Sequence, residues 1–173
     1  MSMVDRRALI AVLVAAFPLA ARAESTTGKR LLVLGFDMLD TSQEPVDQSA
    51  DHARRLAKAR DDIAAGLAEK RVYDIVDRAP VEKALAETLA RTYIRTCNGC
   101  DIDFGRQTSA DFVLVGQVNK VSTLIMSMDV TIKSVRLGRP LYSQRFDFRG
   151  DNDNSWARTT KYVIERIARD PVM

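Results

Sequence analysis

The chain has few of the residues on which catalysis and cofactor binding most often depend. It contains one histidine, His52, and two cysteines, Cys97 and Cys100. A Ser-His-Asp triad would have to use His52, which we expect at the surface, and no glycine-rich phosphate-binding loop occurs. Asp101 follows the cysteine pair, at the position where covalent haem attachment needs a histidine. The sequence therefore predicts no catalytic residues, no cofactor and a protein that is not an enzyme.

The chain also lacks an apolar run long enough to span a bilayer, which takes about 20 residues. Residues 8–17 form a shorter apolar run, preceded by Arg6 and Arg7 and followed by the small-x-small sequence Ala21-Arg22-Ala23. This order is typical of a secretory signal peptide, and no cysteine follows the run to carry a lipid. We expect cleavage after Ala23, a periplasmic protein without a membrane span, and a single domain over 24–173. The general secretory and twin-arginine export routes both remain open, as does the oligomeric state.

Basic and acidic residues are nearly balanced in number. The chain has 26 lysines and arginines and 23 aspartates and glutamates, and its isoelectric point is near 9.0. Three of the arginines and one aspartate belong to the predicted signal, so 23 basic and 22 acidic residues remain. This balance gives no electrostatic reason to expect nucleic acid or an anionic membrane as a partner.

The spacing of apolar residues predicts strands and helices in alternation, and then strands of period two. The predicted strands are residues 30–36, 72–77, 111–118, 123–133 and 142–148. The predicted helices are residues 53–69, 80–93, 105–110 and a last helix with Trp156, Val163, Ile164 and Ile167 on its buried side. The last two strands flank a Gly-Arg-Pro turn at 138–140, which predicts an antiparallel hairpin.

This order of elements predicts a mixed α/β (α+β) fold. Two strand–helix units at the start favour parallel pairing, and three consecutive strands favour antiparallel pairing. We therefore expect a mixed sheet of about five strands, with βαβα followed by an antiparallel meander and a C-terminal helix packed on the sheet.

Three segments resemble a known group of exported domains. Leu31–Asp37 resembles the opening strand VLxFD, Val72–Arg78 resembles fxvvDR, and Ala110–Val118 resembles ADyvlvGxv. Together they resemble the extracytoplasmic α/β domain of the curli-secretion subunit family and the amino-terminal domain of the Tol-system β-propeller protein. The Cys-Asn-Gly-Cys insert resembles small exported proteins of the uncharacterised DUF2380/DUF3280 type.

The resemblance implies a non-enzymatic module that binds another envelope protein or complex. The chain has no β-propeller, no lipid-anchor cysteine and no evident pore-forming hairpins, so secretion and translocation are not implied. Asp37 and the pair Asp77-Arg78, which match motif positions, are interpreted as strand-end caps and turn formers rather than as a catalytic set.

Three roles are open to Cys97 and Cys100. In an oxidising compartment the simplest is a disulfide that closes a tight turn over Asn98-Gly99. The alternative function is a thiol–disulfide oxidoreductase or redox sensor, and a metal site is the third role. We expect a helix to end near Arg95, which places the pair at a helix C-terminus, where a thiol is not activated.

The remaining candidate functional sites are two acidic clusters and one strand. Asp101–Asp103 and Asp151–Asp153 resemble the start of a calcium loop, but Phe112 and Tyr162 occupy the positions of the last ligand, so no metal site is predicted. The strand 123–133 has one mostly polar face and can accept a partner strand if it lies at a sheet edge. The predicted interaction surface is Thr123, Ile125, Ser127, Asp129, Thr131 and Lys133.

Overall fold

A computed structural model describes residues 29–172, which form five strands and four α-helices. The strands are β1 Arg30–Asp40, β2 Asp74–Ile75, β3 Phe112–Ser122, β4 Ile125–Ser134 and β5 Arg139–Phe148. The helices are α1 Ser49–Glu69, α2 Glu82–Leu89, α3 Cys100–Gln107 and α4 Asp153–Arg169, with short 3₁₀ turns at Ala79–Val81 and Ile94–Thr96. Within this part of the chain no helix has the length and apolar character needed to cross a membrane. The predicted signal peptide, residues 1–23, lies outside the described residues.

The strands form one mixed sheet in the order β2-β1-β3-β4-β5. β1 pairs in parallel with β2 and with β3, whereas β3, β4 and β5 form an antiparallel meander. Helical connections join the parallel strands and tight turns join the antiparallel ones, because only antiparallel neighbours can be linked by a short hairpin. The predicted fold class is therefore confirmed.

Each face of the sheet buries its own set of apolar side chains. The face that we call the α1–α4 face is covered by α1 and α4, and its core includes the four α4 residues predicted from the sequence. On the opposite face, which we call the α3 face, side chains of β1 and β3 pack against α2, α3 and the 94–96 turn. The core on the α3 face includes no side chain of β4 or β5, so polar residues occupy that part of the face.

A β-bulge changes the direction of the side chains halfway along β1. Leu34 is the extra residue, because its neighbours Val33 and Gly35 pair with adjacent residues of β3. Gly35 adopts a φ of 126°, which other residues rarely tolerate. Beyond the bulge, Phe36 packs on the α1–α4 face and Asp37 points to the α3 face.

Two elements are shorter than the sequence predicts. β2 pairs with β1 only at Asp74–Ile75, since the preceding backbone is still bonded to the end of α1. α2 ends at Leu89 because the chain turns so that the N–H groups of Ile94 and Arg95 donate to the Asp37 carboxylate, each at 3.2 Å. Burial raises the pKa of Asp37 although these two bonds oppose the change. Asp37 thus lies within β1, which continues to Asp40, and not at the strand end where the sequence interpretation placed it; its carboxylate binds the 94–96 turn.

Candidate functional site

A lysine is buried at the end of the sheet where β1 and β3 stop. Lys120 is 1% exposed, and its Nζ lies 2.8 Å from Glu44 Oε2, 2.9 Å from Gln48 Oε1 and 3.0 Å from Asp151 Oδ2. Burial alone would lower the pKa of Lys120, but its hydrogen bonds to Glu44 and Asp151 raise it. The lysine stays charged and holds the loop 41–48 and the start of α4 against the sheet.

His52 belongs to the same cluster and is not the surface residue that the sequence predicts. It is 5% exposed, and its Nε2 lies 2.7 Å from Asp151 Oδ2. Burial would raise the pKa of Asp151, but hydrogen bonds from His52, Lys120 and Trp156 lower it. The other ring nitrogen, Nδ1, faces the Asp40 carboxylate at 4.0 Å and not a nucleophile. Within the described residues this histidine and its aspartate therefore join α1 to α4 without a third triad member.

Glu44 holds the loop 41–48 in place. It accepts hydrogen bonds from Lys120 Nζ and from both the N–H and the hydroxyl of Thr123, the latter two at 3.0 and 2.6 Å. The bonds from Lys120 and then from Thr123 lower the pKa of Glu44 to about 2. The loop is thereby attached to the turn between β3 and β4.

Two adjoining clefts run beside β1, between α1 and the segment from α2 to the 94–96 turn. Ala53 and Leu56 of α1 line both clefts. The first, of about 160 Å³, is lined by residues 34–37 of β1. The second, of about 610 Å³, continues along residues 38–40 to the loop 41–48. We call the two clefts together the β1 groove.

The apolar side chains that the fold leaves exposed are concentrated beside this groove. Nine large apolar or aromatic residues are exposed in the described part of the chain. Four of them line the β1 groove: Leu39, Val46, Leu89 and Tyr93. Three form what we call the hairpin tip, at the β3–β4 turn: Val121, Leu124 and Ile125. The hairpin tip adjoins the groove, because Leu39 pairs with Asn119 and Glu44 binds Thr123.

The predicted interaction strand is not at an edge of the sheet. β4 lies between β3 and β5, and its backbone is paired on both sides, so it cannot accept a partner strand. The alternation of polar and apolar residues correctly indicated a strand with one polar face. It carried no information on which strands lie beside it, and the condition on which strand addition to β4 depended is not met.

The six predicted interaction residues separate into three environments. Ile125 belongs to the hairpin tip, and Thr123 beside it is bound to Glu44. Lys133 is drawn under α3, where its Nζ lies 2.5 Å from Asp101 Oδ2. The other three lie on the α3 face of the sheet: Ser127, Asp129 and Thr131. Partner binding by these three stays a prediction.

The cysteine pair connects the end of one helical segment to the start of the next. Cys97 follows the 3₁₀ turn Ile94–Thr96, as predicted, whereas Cys100, which was predicted at the same helix end, is the first residue of α3. Asn98 and Gly99 take left-handed φ values of 55° and 98°, and α3 begins at Cys100. Acidic residues in the first turn, including Asp101, favour a helix N-terminus here. The Cα atoms of Cys97 and Cys100 are 5.6 Å apart and the sulfur atoms are at bonding distance. The disulfide in the mature protein stays a prediction, and nothing in this geometry favours the redox alternative.

The acidic clusters are occupied by basic side chains. Arg55 bridges Asp151 and Asp153, and Asp103 of the other cluster faces Arg106 at 2.8 Å. Across residues 29–172 no group of three or more histidine, cysteine, aspartate or glutamate side chains is arranged to hold a metal ion.

Neither Lys120 nor the β1 groove was predicted from the sequence. A signal for Lys120 existed, since it follows the buried Val118 by two residues and so shares its face of β3. The groove exists because β2 is much shorter than β1, and only the structure shows how many of its residues pair.

Comparison with solved structures shows that the fold is shared. The lipoprotein GNA1162 from Neisseria meningitidis is similar with a TM-score of 0.52 and 18% identity, over 83% of this chain and 99% of that one. The hypothetical protein CT253 from Chlamydia trachomatis is similar with a TM-score of 0.50 and 12% identity, over 82% and 96%. TolB from Acinetobacter baumannii is less similar, with a TM-score of 0.49 and 8% identity over 84% of this chain and 29% of that one.

Among curated proteins, none matches the chain in sequence. A family model does match, over residues 29–167, which is nearly all of the part that the structure describes. The chain therefore belongs to the DUF3280 family, which is described as a protein of unknown function (DUF2380).

Proposed function

We propose that this chain is a non-catalytic accessory protein of the periplasm that docks on another envelope protein or complex. The observation that carries the proposal is the position of the exposed apolar residues. Seven of the nine lie along the β1 groove or on the hairpin tip beside it, and only Leu137 and Tyr162 lie elsewhere. A cluster of exposed apolar side chains at one end of a domain marks a binding surface.

Two further observations support this proposal. The sequence carries the pattern of an export signal, and the fold is shared with a protein described as a lipoprotein. In addition, His52 and Asp151 are engaged in joining helices, and in the described structure neither is hydrogen-bonded to a hydroxyl or a thiol. Binding therefore accounts for the surface without a reaction.

Site-specific photo-crosslinking in living cells tests the proposal. The photoreactive amino acid p-benzoylphenylalanine is placed at Leu39 or Leu124, and at Leu137 or Tyr162 as matched exposed controls. We expect adducts with an envelope protein from the first two positions and not from the controls. Adducts at all four positions, or at none, would contradict the proposal.

A further inference from the structure

The upper part of β1 has a backbone edge that no described strand occupies. β1 has 11 residues, but β2 pairs with it only at Arg30 and Leu31. Beyond this point β3 is the only strand paired with β1 in the described residues. The N–H and C=O groups that point away from β3 are therefore available to another extended chain.

The β1 groove follows this free edge. Seven consecutive residues of β1, 34–40, line it, which corresponds to about 23 Å of extended chain at roughly 3.3 Å per residue. Helix α1 forms one wall through Ala53 and Leu56. Leu89 and Tyr93 are exposed on the opposite wall. The groove therefore offers a backbone edge together with apolar walls for alternate side chains of an added strand.

Charge at one end of the groove limits what can bind there. Asp40, Glu44 and Asp47 line the wider cleft, and among residues 29–172 no lysine or arginine joins them in its lining. Asp47 has no basic partner within ion-pair distance in the described residues, and a hydrogen bond from the Ser49 N–H lowers its pKa. At the other end, Arg60 is already paired with Asp61 at 2.7 Å. Asp40 and Glu44 are paired with Lys120, and Asp37 is buried and bound to the 94–96 turn. The exposed, unbalanced charge of the groove is thus that of Asp47, in the loop 41–48.

We propose that the β1 groove binds an extended segment of the partner protein as an added strand, with apolar side chains in the clefts and a lysine or arginine near Asp47. This inference rests on the proposed function and names the site and the chemistry of the partner. Strand addition uses main-chain hydrogen bonds for affinity and the side-chain pockets for specificity. A membrane surface is the less suitable occupant, because the carboxylates at this end repel anionic lipid.

Selection of peptides from a phage-displayed library of random twelve-residue sequences tests the proposal on the purified protein. We expect the enriched peptides to alternate apolar and polar residues and to carry lysine or arginine at one end. An added strand donates to β1 only through every second amide, so the best peptide is N-methylated in two versions, one for each alternate set of amides. We expect one version to bind about tenfold or more weakly and the other to bind nearly as the unmodified peptide does.

Two pairs of variants place the peptide in the groove. Ala53→Trp fills the groove from an exposed position of α1, and Ala86→Trp makes the same change on the exposed side of α2. Asp47→Asn removes a charge but keeps the acceptor for Ser49, whereas Asp74→Asn removes one at the far end of the sheet. We expect only the first of each pair to weaken binding, by about tenfold for the tryptophan and several-fold for Asp47→Asn.

Three results would overturn the inference: no enrichment, enriched peptides that bind Ala53→Trp as well as the unmodified protein, or binding that neither set of N-methyl groups weakens. Binding of anionic vesicles that Ala53→Trp abolishes would also overturn it, in favour of a membrane. If any of these occurs while Leu124 still crosslinks to an envelope protein, the proposed function stands and the proposal of a strand-addition site is rejected. If instead the peptides bind as expected and no crosslink forms, the proposal of an envelope partner is rejected.

Discussion

Two buried aspartates lie on opposite faces of the same sheet, each beside a lysine, and their surroundings differ. On the α1–α4 face, Asp151 accepts from His52, Lys120, Arg55 and the indole N–H of Trp156. On the α3 face, the buried Asp101 has a different set of neighbours. One of its oxygens accepts the N–H of Ile102, and the other has only the ion pair with Lys133, without hydrogen-bond geometry.

The difference shows where the fold depends on charge. A buried ion pair stabilises a protein only if further hydrogen bonds satisfy the remaining lone pairs and protons. Asp151 meets this condition and connects three parts of the chain that are far apart in sequence. Asp101 does not meet it, and its lysine is 21% exposed and reachable by water. We therefore expect the α1–α4 face to respond more strongly when its lysine is removed.

The largest effect is expected from Lys120→Met. This change leaves Asp151 and Glu44 without their shared cation, and breaking such a buried cluster costs about 3–5 kcal/mol of unfolding free energy. Urea denaturation measures the loss. Lys161→Met, at an exposed position of α4, is the matched control and should change little. Equal losses in the two variants would show that the cluster does not stabilise the fold.

A smaller effect is expected from Lys133→Met. It removes the cation beside the Asp101 carboxylate, which keeps only the N–H of Ile102. Because Lys133 is partly exposed, water can reach the site, and we expect a cost of about 1–3 kcal/mol, below that of a fully buried pair. Combining the change with Asp101→Asn should recover part of the loss, because no buried charge then remains. Lys83→Met, exposed on α2, controls for loss of a lysine. A loss that equals or exceeds that of Lys120→Met would reverse the comparison between the faces.

Replacement of both cysteines by serine should cost about 1 kcal/mol, or a few degrees in Tm, because the loop between them is so short. The measurement is thermal unfolding, with thiol alkylation of the native protein in parallel. The loss should be confined to the α3 face, so hydrogen exchange should quicken near Gly105 and not in α1 or α4. Two alkylatable thiols in the native protein would contradict the predicted disulfide.

The smallest effect concerns acid stability and Glu44. Its pKa falls from 4.5 to about 2 on folding, so the group stabilises the folded state above about pH 4.5 and loses this contribution as the pH falls through 2. Since the carboxylate is partly exposed, the effect is modest. The Tm difference between the unmodified protein and Glu44→Gln should be constant at neutral pH and vanish near pH 2. A difference that grows on acidification would have the wrong sign.

Much of the fold could be predicted because local patterns encode it. The buried side of α4 and the alternation in β4 and β5 follow from periodicity alone, and the order of elements indicated the mixed sheet. The site could not be predicted in this way. His52 and Asp151 are 99 residues apart, and Lys120 and Glu44 are 76 apart. Burial of such charges depends on the whole topology, which also placed β4 inside the sheet and left β1 with a free edge.

The bulge at Leu34 acts as a change of phase within a single strand. If the same eleven residues alternated regularly, with no bulge at Leu34, the side chains beyond it would exchange faces, and Asp37 would enter the apolar core beneath α1. Leu39, two residues further along β1, would change face with it. The bulge thus sets both where α2 must stop and which side chains stand beside the free edge. A strand that kept all eleven residues but paired without the bulge would keep the sheet and present a different binding end.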